Sequence, residues 1–237
     1  MKVKADVLIK HIEKASICGA INEMVLDDKL KFAVTDDARA VLSICNSSLG
    51  ESTFGIVGVY DLELLIKTIR YSSEAIFNVD EELNIDVIEN RMVFKKGDNE
   101  FKFLLSNPKV ISSTIESPAD TLAKLRSEEG IQIVLDKKDI DSVLKAITLI
   151  VPEIITIVVK DKKVLCLIGK DTEHNTNIKM GSFTTEANFV LKFKPDLFSK
   201  VLTTIADCDD VKLELRSEFP AILVDKDYTL VIAPVQE

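Results

Sequence analysis

The chain has 237 residues, 46% of them apolar and 29% charged, so it can bury a core and is long enough for two modest domains. Acids outnumber bases 39 to 30, a net charge of −9, which excludes a uniformly basic nucleic-acid binder and leaves any DNA contact to a local basic surface. With 8 glycines and no tryptophan, glycine-rich phosphate loops and base-stacking platforms are poorly supported.

In chain order, residues 5–15 predict a helix, with Asp6 near its positive end and Leu8 and Ile12 on one face. A strand is expected at 29–34, between turns at Asp27-Asp28 and Asp36-Asp37. A second helix is expected at 61–71, opened by Asp61 as N-cap and packed through Leu62, Leu65, Ile66 and Ile69. Alternating runs at 83–88 and 100–104 read as strands, joined by a turn at 96–99. Residues 107–130 have another texture, with Pro108, Ser112, Ser113, Ser117 and Pro118 followed by a charged run, as in a linker or functional surface loop. A third helix is expected at 139–149, capped by Asp139 and packed through Ile140, Val143, Leu144 and Ile147. After a turn at 161–163 comes a fourth at 196–205, opened by Asp196 and packed through Phe198, Val201, Leu202 and Ile205. A strand at 211–216, a turn at 225–227 and an apolar run at 228–234 complete the pattern.

The helix starts repeat. Asp6 to Asp61 is 55 positions and Asp139 to Asp196 is 57, while Asp6 to Asp139 is 133 and Asp61 to Asp196 is 135. Such spacing predicts two similar α+β domains, each with two helices and two runs of antiparallel strands. The expected division is 1–107, a connector at 108–130, and 131–237.

No catalytic constellation assembles. His11 and His174, the two histidines, have no ligand-like spacing and are expected to be solvated. Cys18, Cys45, Cys166 and Cys208 form no Cys-x-x-Cys pair and are expected to be buried reduced thiols. No metal, cofactor or enzymatic activity is expected. The first residues lack a signal-peptide run, and the most apolar stretch, 146–159, is broken by Pro152 and Glu153, so a cytoplasmic protein is expected.

The helices carry a charge anomaly. The windows 4–15, 61–73, 137–148 and 192–204 hold 11 basic residues against 7 acids, in a chain that is acidic overall. All those acids except Glu13 are expected in first turns, where capping and the helix dipole account for them. The helix bodies are therefore basic, as a surface facing a polyanion would be.

With these features the chain resembles the DNA sliding clamps, the ring-shaped processivity factors of replicative polymerases, of the proliferating-cell-nuclear-antigen type. The resemblance rests on the repeat, the long connector and the acidic charge. It rests also on 211–224, similar to the penultimate hairpin of those clamps including Pro220, and on an ending that closes on Ala233-Pro234. Val59-Tyr60-Asp61-Leu62 leading into a helix, the short length and the modest basic count are closer to the clamps of tailed phages.

The resemblance implies the DNA clamp fold, a homotrimer closed head to tail, and helices lining a bore around double-stranded DNA without sequence preference. Lys10, Lys14, Lys67, Arg70, Lys138, Lys145 and Lys200 are then the DNA-binding candidates. DNA polymerase and a clamp loader become partners, docking through short peptides on Val110, Ile111, Pro220, Val231, Ile232, Ala233 and Pro234. Subunits would join through edge strands at 100–105 and 176–183. A monomeric processivity or adaptor subunit of the same fold, gripping DNA electrostatically, is the alternative.

Overall fold

The computed structural model describes residues 1–52, 55–75, 82–96, 99–126, 128–169 and 174–235, without the side chains of 72–75 and 96. The chain divides into two compact units, one of Met1–Ala38 and Ser43–Glu116, the other of Arg39–Leu42 and Ser117–Glu237.

The first unit contains β1 (Lys2–Lys4), α1 (Ala5–Ser16), β2 (Met24–Leu26), β3 (Ala33–Thr35), the latter part of β4 (Val41–Cys45), β5 (Val57–Val59), α2 (Leu62–Ala75), β6 (Glu82–Ile88), β7 (Arg91–Lys96) and β8 (Asn99–Leu104). Antiparallel pairing gives one sheet the order β1-β6-β7-β8 and joins β2 to β5. Alternation along β6 buries Leu83 and Ile85 while Asn84 and Asp86 face water. Helices α1 and α2 pack together and bury Leu8, Ile12, Leu65 and Ile69.

The second unit holds α3 (Pro118–Leu125), β9 (Ile131–Val134), α4 (Lys137–Ile150), β10 (Ile154–Lys160), β11 (Lys163–Gly169), β12 (Asn175–Ser182), β13 (Phe189–Phe193), α5 (Pro195–Ile205), β14 (Lys212–Leu215), β15 (Ala221–Val224) and β16 (Tyr228–Ile232). Its strands run antiparallel in the orders β12-β11-β10-β13 and β16-β15-β14-β9. Asp161 and Lys162 both have positive φ, 51° and 59°, which gives the β10–β11 hairpin the two-residue turn that matches strand twist.

Without α3, the second unit repeats the element order of the first: strand, helix, four strands, helix, three strands. Matching helices start 132 residues apart (Ala5, Lys137) and 133 apart (Leu62, Pro195), close to the spacing legible in the sequence. Each unit thus packs two long helices on antiparallel sheets. The copies differ in reach: β2 and β3 have three residues each, whereas their counterparts β10 and β11 have seven each.

Several expectations change. Asp61 does cap α2, accepting from the Leu64 N–H at 2.8 Å. In α4 that role falls to Asp136, which accepts from the Lys138 N–H at 2.8 Å, so the helix starts two residues before Asp139 and Asp141 lies beyond the first turn. Asp196 sits inside α5, after Pro195. The alternation at 29–32 makes no strand, because the Asp27 carboxylate accepts from the N–H groups of Lys29 (2.9 Å) and Lys31 (2.7 Å) and Leu30 turns left-handed. His11 is buried, not solvated: its Nε2 lies 2.5 Å from the Leu30 carbonyl and its ring packs edge-on to Phe32. Cys45 and Cys166 are buried, but Cys18 is exposed and Cys208 half-buried. The turn at 96–99 lies partly outside the described residues. Among the described residues no helix is long and apolar enough to cross a membrane.

The serine- and charge-rich stretch is not a loose linker. Ser113 and Ile115 exchange backbone bonds with Thr35 and Ala33, both 2.9 Å, extending the sheet edge at β3. Farther on, α3 ends at Arg126, whose Nε and Nη2 donate to the two Glu214 carboxylate oxygens at 2.9 and 2.8 Å. Arg216 donates to the same carboxylate at 3.2 Å and to the Glu128 carbonyl at 3.0 Å. Gly130 allows this approach, since a Cβ there would lie 2.5 Å from Arg216 Cγ.

Candidate nucleic-acid interface

An amphipathic helix lying on a sheet turns its polar stripe outward, and the candidate cations occupy that stripe in each unit. In the first unit Lys10, Lys67 and Arg70 are exposed. In the second, Lys138 and Lys145 are exposed on α4, and Lys200 is half-buried on α5. Lys14 departs from the expectation. It is only 7% exposed, because the last turn of α1 runs against β4, where the Ser43 hydroxyl donates to the Lys14 carbonyl at 2.8 Å.

Half of the outward cations face resident carboxylates. Lys67 pairs with Glu63 one turn earlier, and Lys200 pairs with Asp196 at 3.4 Å. Arg70 of α2 donates across to Glu13 of α1. Hydrogen bonding from Lys67, followed by its charge, holds the Glu63 carboxyl below its ordinary value, so that group stays ionised at neutral pH. Local pairing of this kind leaves these helix faces only weakly basic.

The candidate docking residues are divided between the units. In the first, Val110 is 67% exposed while Ile111 is buried. In the second, Val231 and Ile232 are both buried core residues, and Pro220, Ala233 and Pro234 are half-buried. Backbone bonds pin this end: the Ala233 N–H donates to the Ala40 carbonyl at 2.8 Å and the Val235 N–H to the Lys192 carbonyl at 2.7 Å. Only the half-buried and exposed members of the set present surface to a peptide.

Two long strands end their sheets. β8 terminates β1-β6-β7-β8 and β12 terminates β12-β11-β10-β13, at the positions expected for subunit pairing. On β8, Glu100 bonds Lys102 and faces Lys95 at 3.8 Å, and the hydrogen bond from Lys102 is the main influence holding the Glu100 carboxyl below its ordinary value. Tyr60 stacks on Phe103 and Tyr71 meets Phe101 edge-on, so aromatic surface flanks the same strand. These tyrosine contacts were not among the expected ones, although Tyr60, Leu64 and Tyr71 lie at helical spacing.

This architecture is the DNA sliding-clamp fold. The chain is similar to a putative DNA polymerase III beta subunit from Eubacterium rectale, at 17% identity and a TM-score of 0.74, covering 100% of this chain and 65% of that one. It is similar to A. fulgidus PCNA, in the structure with the C-terminal region of FEN-1 bound, at 16% identity and 0.74, covering 100% of this chain and 98% of that one. A PCNA2-PCNA3 complex from Sulfolobus tokodaii matches at 17% identity and 0.71, with 100% of both chains covered. The chain therefore spans about two thirds of the bacterial beta subunit and the full length of the archaeal clamp chain. No family model matches the sequence, and no curated protein matches it.

Proposed function

We propose that this chain is a subunit of a ring-shaped sliding clamp that encircles duplex DNA and tethers a replicative polymerase. The observation carrying this reading is the twice-repeated unit, which sets lysine- and arginine-bearing helix faces outward and leaves β8 and β12 at sheet ends. A free edge strand is an aggregation hazard unless a partner covers it. Pairing β8 of one copy with β12 of the next is a heterologous contact, and repeating it three times closes a ring. A closed ring holds DNA topologically, so it needs no chemistry of its own and no tight grip. Self-association is consistent with the PCNA2-PCNA3 complex among the similar structures, and peptide docking with the FEN-1 segment bound to A. fulgidus PCNA.

On this reading residues 1–107 and 131–237 are the two clamp domains joined by 108–130, and the protein works in the cytoplasm, a host's if it is viral. The approach to α2 through Val59, Tyr60, Asp61 and Leu62 favours a phage-type clamp. A clamp loader would open the ring, and the polymerase would dock on Val110, Pro220, Ala233 and Pro234.

The test is retention on DNA. Protein loaded on a nicked circle should resist a high-salt wash and be lost when the circle is cut. Equal salt-sensitive loss from circular and linear DNA would instead favour the monomeric adaptor.

A further inference from the structure

Glu13 has no role that capping or packing explains. It is the ninth of the twelve residues of α1, past the turn in which a carboxylate complements the helix dipole. Its side chain is 42% exposed, so it does not serve the core, and it holds the guanidinium of Arg70, 53% exposed, on the neighbouring helix. Exposed ion pairs of this kind add little stability. The acids facing Lys67 and Lys200 differ, because Glu63 and Asp196 lie in first turns where the dipole accounts for them.

A guanidinium fork binds carboxylate and phosphate through the same donors. We propose that Glu13 is a resident competitor for Arg70: its carboxylate stands where a DNA backbone phosphate binds, and each phosphate contact at Arg70 must first displace it. This rests on the reading of the helix faces as DNA-facing. The consequence is a deliberately weak contact on α2, which limits how long the protein dwells at any one phosphate and so favours sliding.

The experiment is a double-mutant cycle read by DNA affinity. Fluorescence anisotropy with a short labelled duplex, titrated from low salt upward, is run on the wild type, Glu13→Gln, Arg70→Gln and the double variant. Glu13→Gln should tighten binding by about three- to tenfold and steepen the slope of log K against log salt by up to about 0.9, the value of one further phosphate contact. In the Arg70→Gln background the same change should give no gain. Thermal melts should coincide for the wild type and Glu13→Gln. An equal gain with and without Arg70 would show that Glu13 acts only through its charge and would overturn the proposal, as would no gain in either background. If the wild type and all variants fail to bind duplex DNA even at low salt, Arg70 makes no phosphate contact and the proposal is overturned, whereas the clamp reading stands or falls separately on retention at a nicked circle.

Discussion

The carboxylate of Glu23 accepts from both the backbone N–H of Ser112, at 2.7 Å, and its hydroxyl, at 2.9 Å, across 89 positions of sequence. The Ser113 N–H joins the same oxygen at 3.2 Å, and the Ser113 hydroxyl donates to the Glu23 carbonyl at 2.8 Å. One acid thus fastens the serine-rich stretch to the first unit. Charge-assisted bonds are roughly twice as strong as neutral ones, so Glu23→Ala should cost about 1–3 kcal/mol. Denaturant melts measure the loss, and Glu23→Gln should recover part of it.

On the second unit the matching fastener is Glu214, held between Arg126 and Arg216, with the three side chains 13%, 36% and 11% exposed. Arg216 Nη1 is buried without a hydrogen-bond partner, so this carboxylate is the main compensation for a positive cluster. Removing one member of a partly buried ion pair strands its partners. Glu214→Ala should lower stability by about 2–4 kcal/mol and make the chain cleavable by trypsin at Lys124 or Arg126 in the native state. Resistance equal to the wild type would mean that α3 is held by other contacts.

Lys14 and Lys10 are one turn apart, yet charge reversal should separate them. Lys10→Glu, combined with Lys145→Glu, should weaken duplex binding and leave the melting temperature nearly unchanged, because both sites are exposed. Lys14→Glu sits at a buried site and should cost stability, on the order of 1–3 kcal/mol. Anisotropy and thermal melts on the same preparations distinguish the two effects.

The thiols should react in the order of their exposure. Cys18 should alkylate at once in the native protein, Cys208 more slowly, and Cys45 and Cys166 only on unfolding. Burial pushes the Cys166 thiol from 9.0 up to about 12. Between those values the unfolded chain has released a proton that the folded chain keeps, so this group makes stability fall as pH rises from about 9 toward 12. Replacing Cys166 by Ala should flatten that part of the pH profile. An unchanged slope would assign it to other groups.

The docking surface is best probed where side chains reach the surface. Pro220→Glu with Pro234→Glu should abolish polymerase binding and preserve the fold, since both prolines are only half-buried. Ile232→Glu is unsuitable for this purpose: at 1% exposure it should unfold the second unit. Unchanged polymerase binding by the double proline variant would move the partner site away from this end of the chain.

The repeat and its helices were legible because amphipathic spacing is local: of the fourteen helix positions expected to pack, all but the half-buried Leu144 are buried. The alternation at 100–104 marked β8 for the same reason, whereas the strand at 176–183 was expected only from the family resemblance and is found as β12, Asn175–Ser182. The lost strand at 29–32 and the displaced cap of α4 turned on the neighbouring side chains of Asp27 and Asp136, while two other failures depended on contacts distant in sequence. His11 looked like a polar surface residue because nothing nearby marks the Leu30 carbonyl that it meets. Lys14 fits a basic stripe by spacing, and its burial shows only in the folded chain, where its carbonyl meets Ser43 of β4 from 29 residues away. The helix α3 was hidden by its short length, although Pro118 at its first position was an available signal. Glu13 stood out in the sequence as an acid beyond the first turn, but its meaning needed Arg70 from 57 residues away.

The central claim, that three copies close a ring through β8 and β12, is tested most directly by the mass of the protein in solution. Size-exclusion chromatography with light scattering, run at micromolar concentration, should give three times the 26.4 kDa of one chain. A mass of 26.4 kDa that persists across the accessible concentration range would contradict the ring and leave the chain a monomeric DNA-binding subunit.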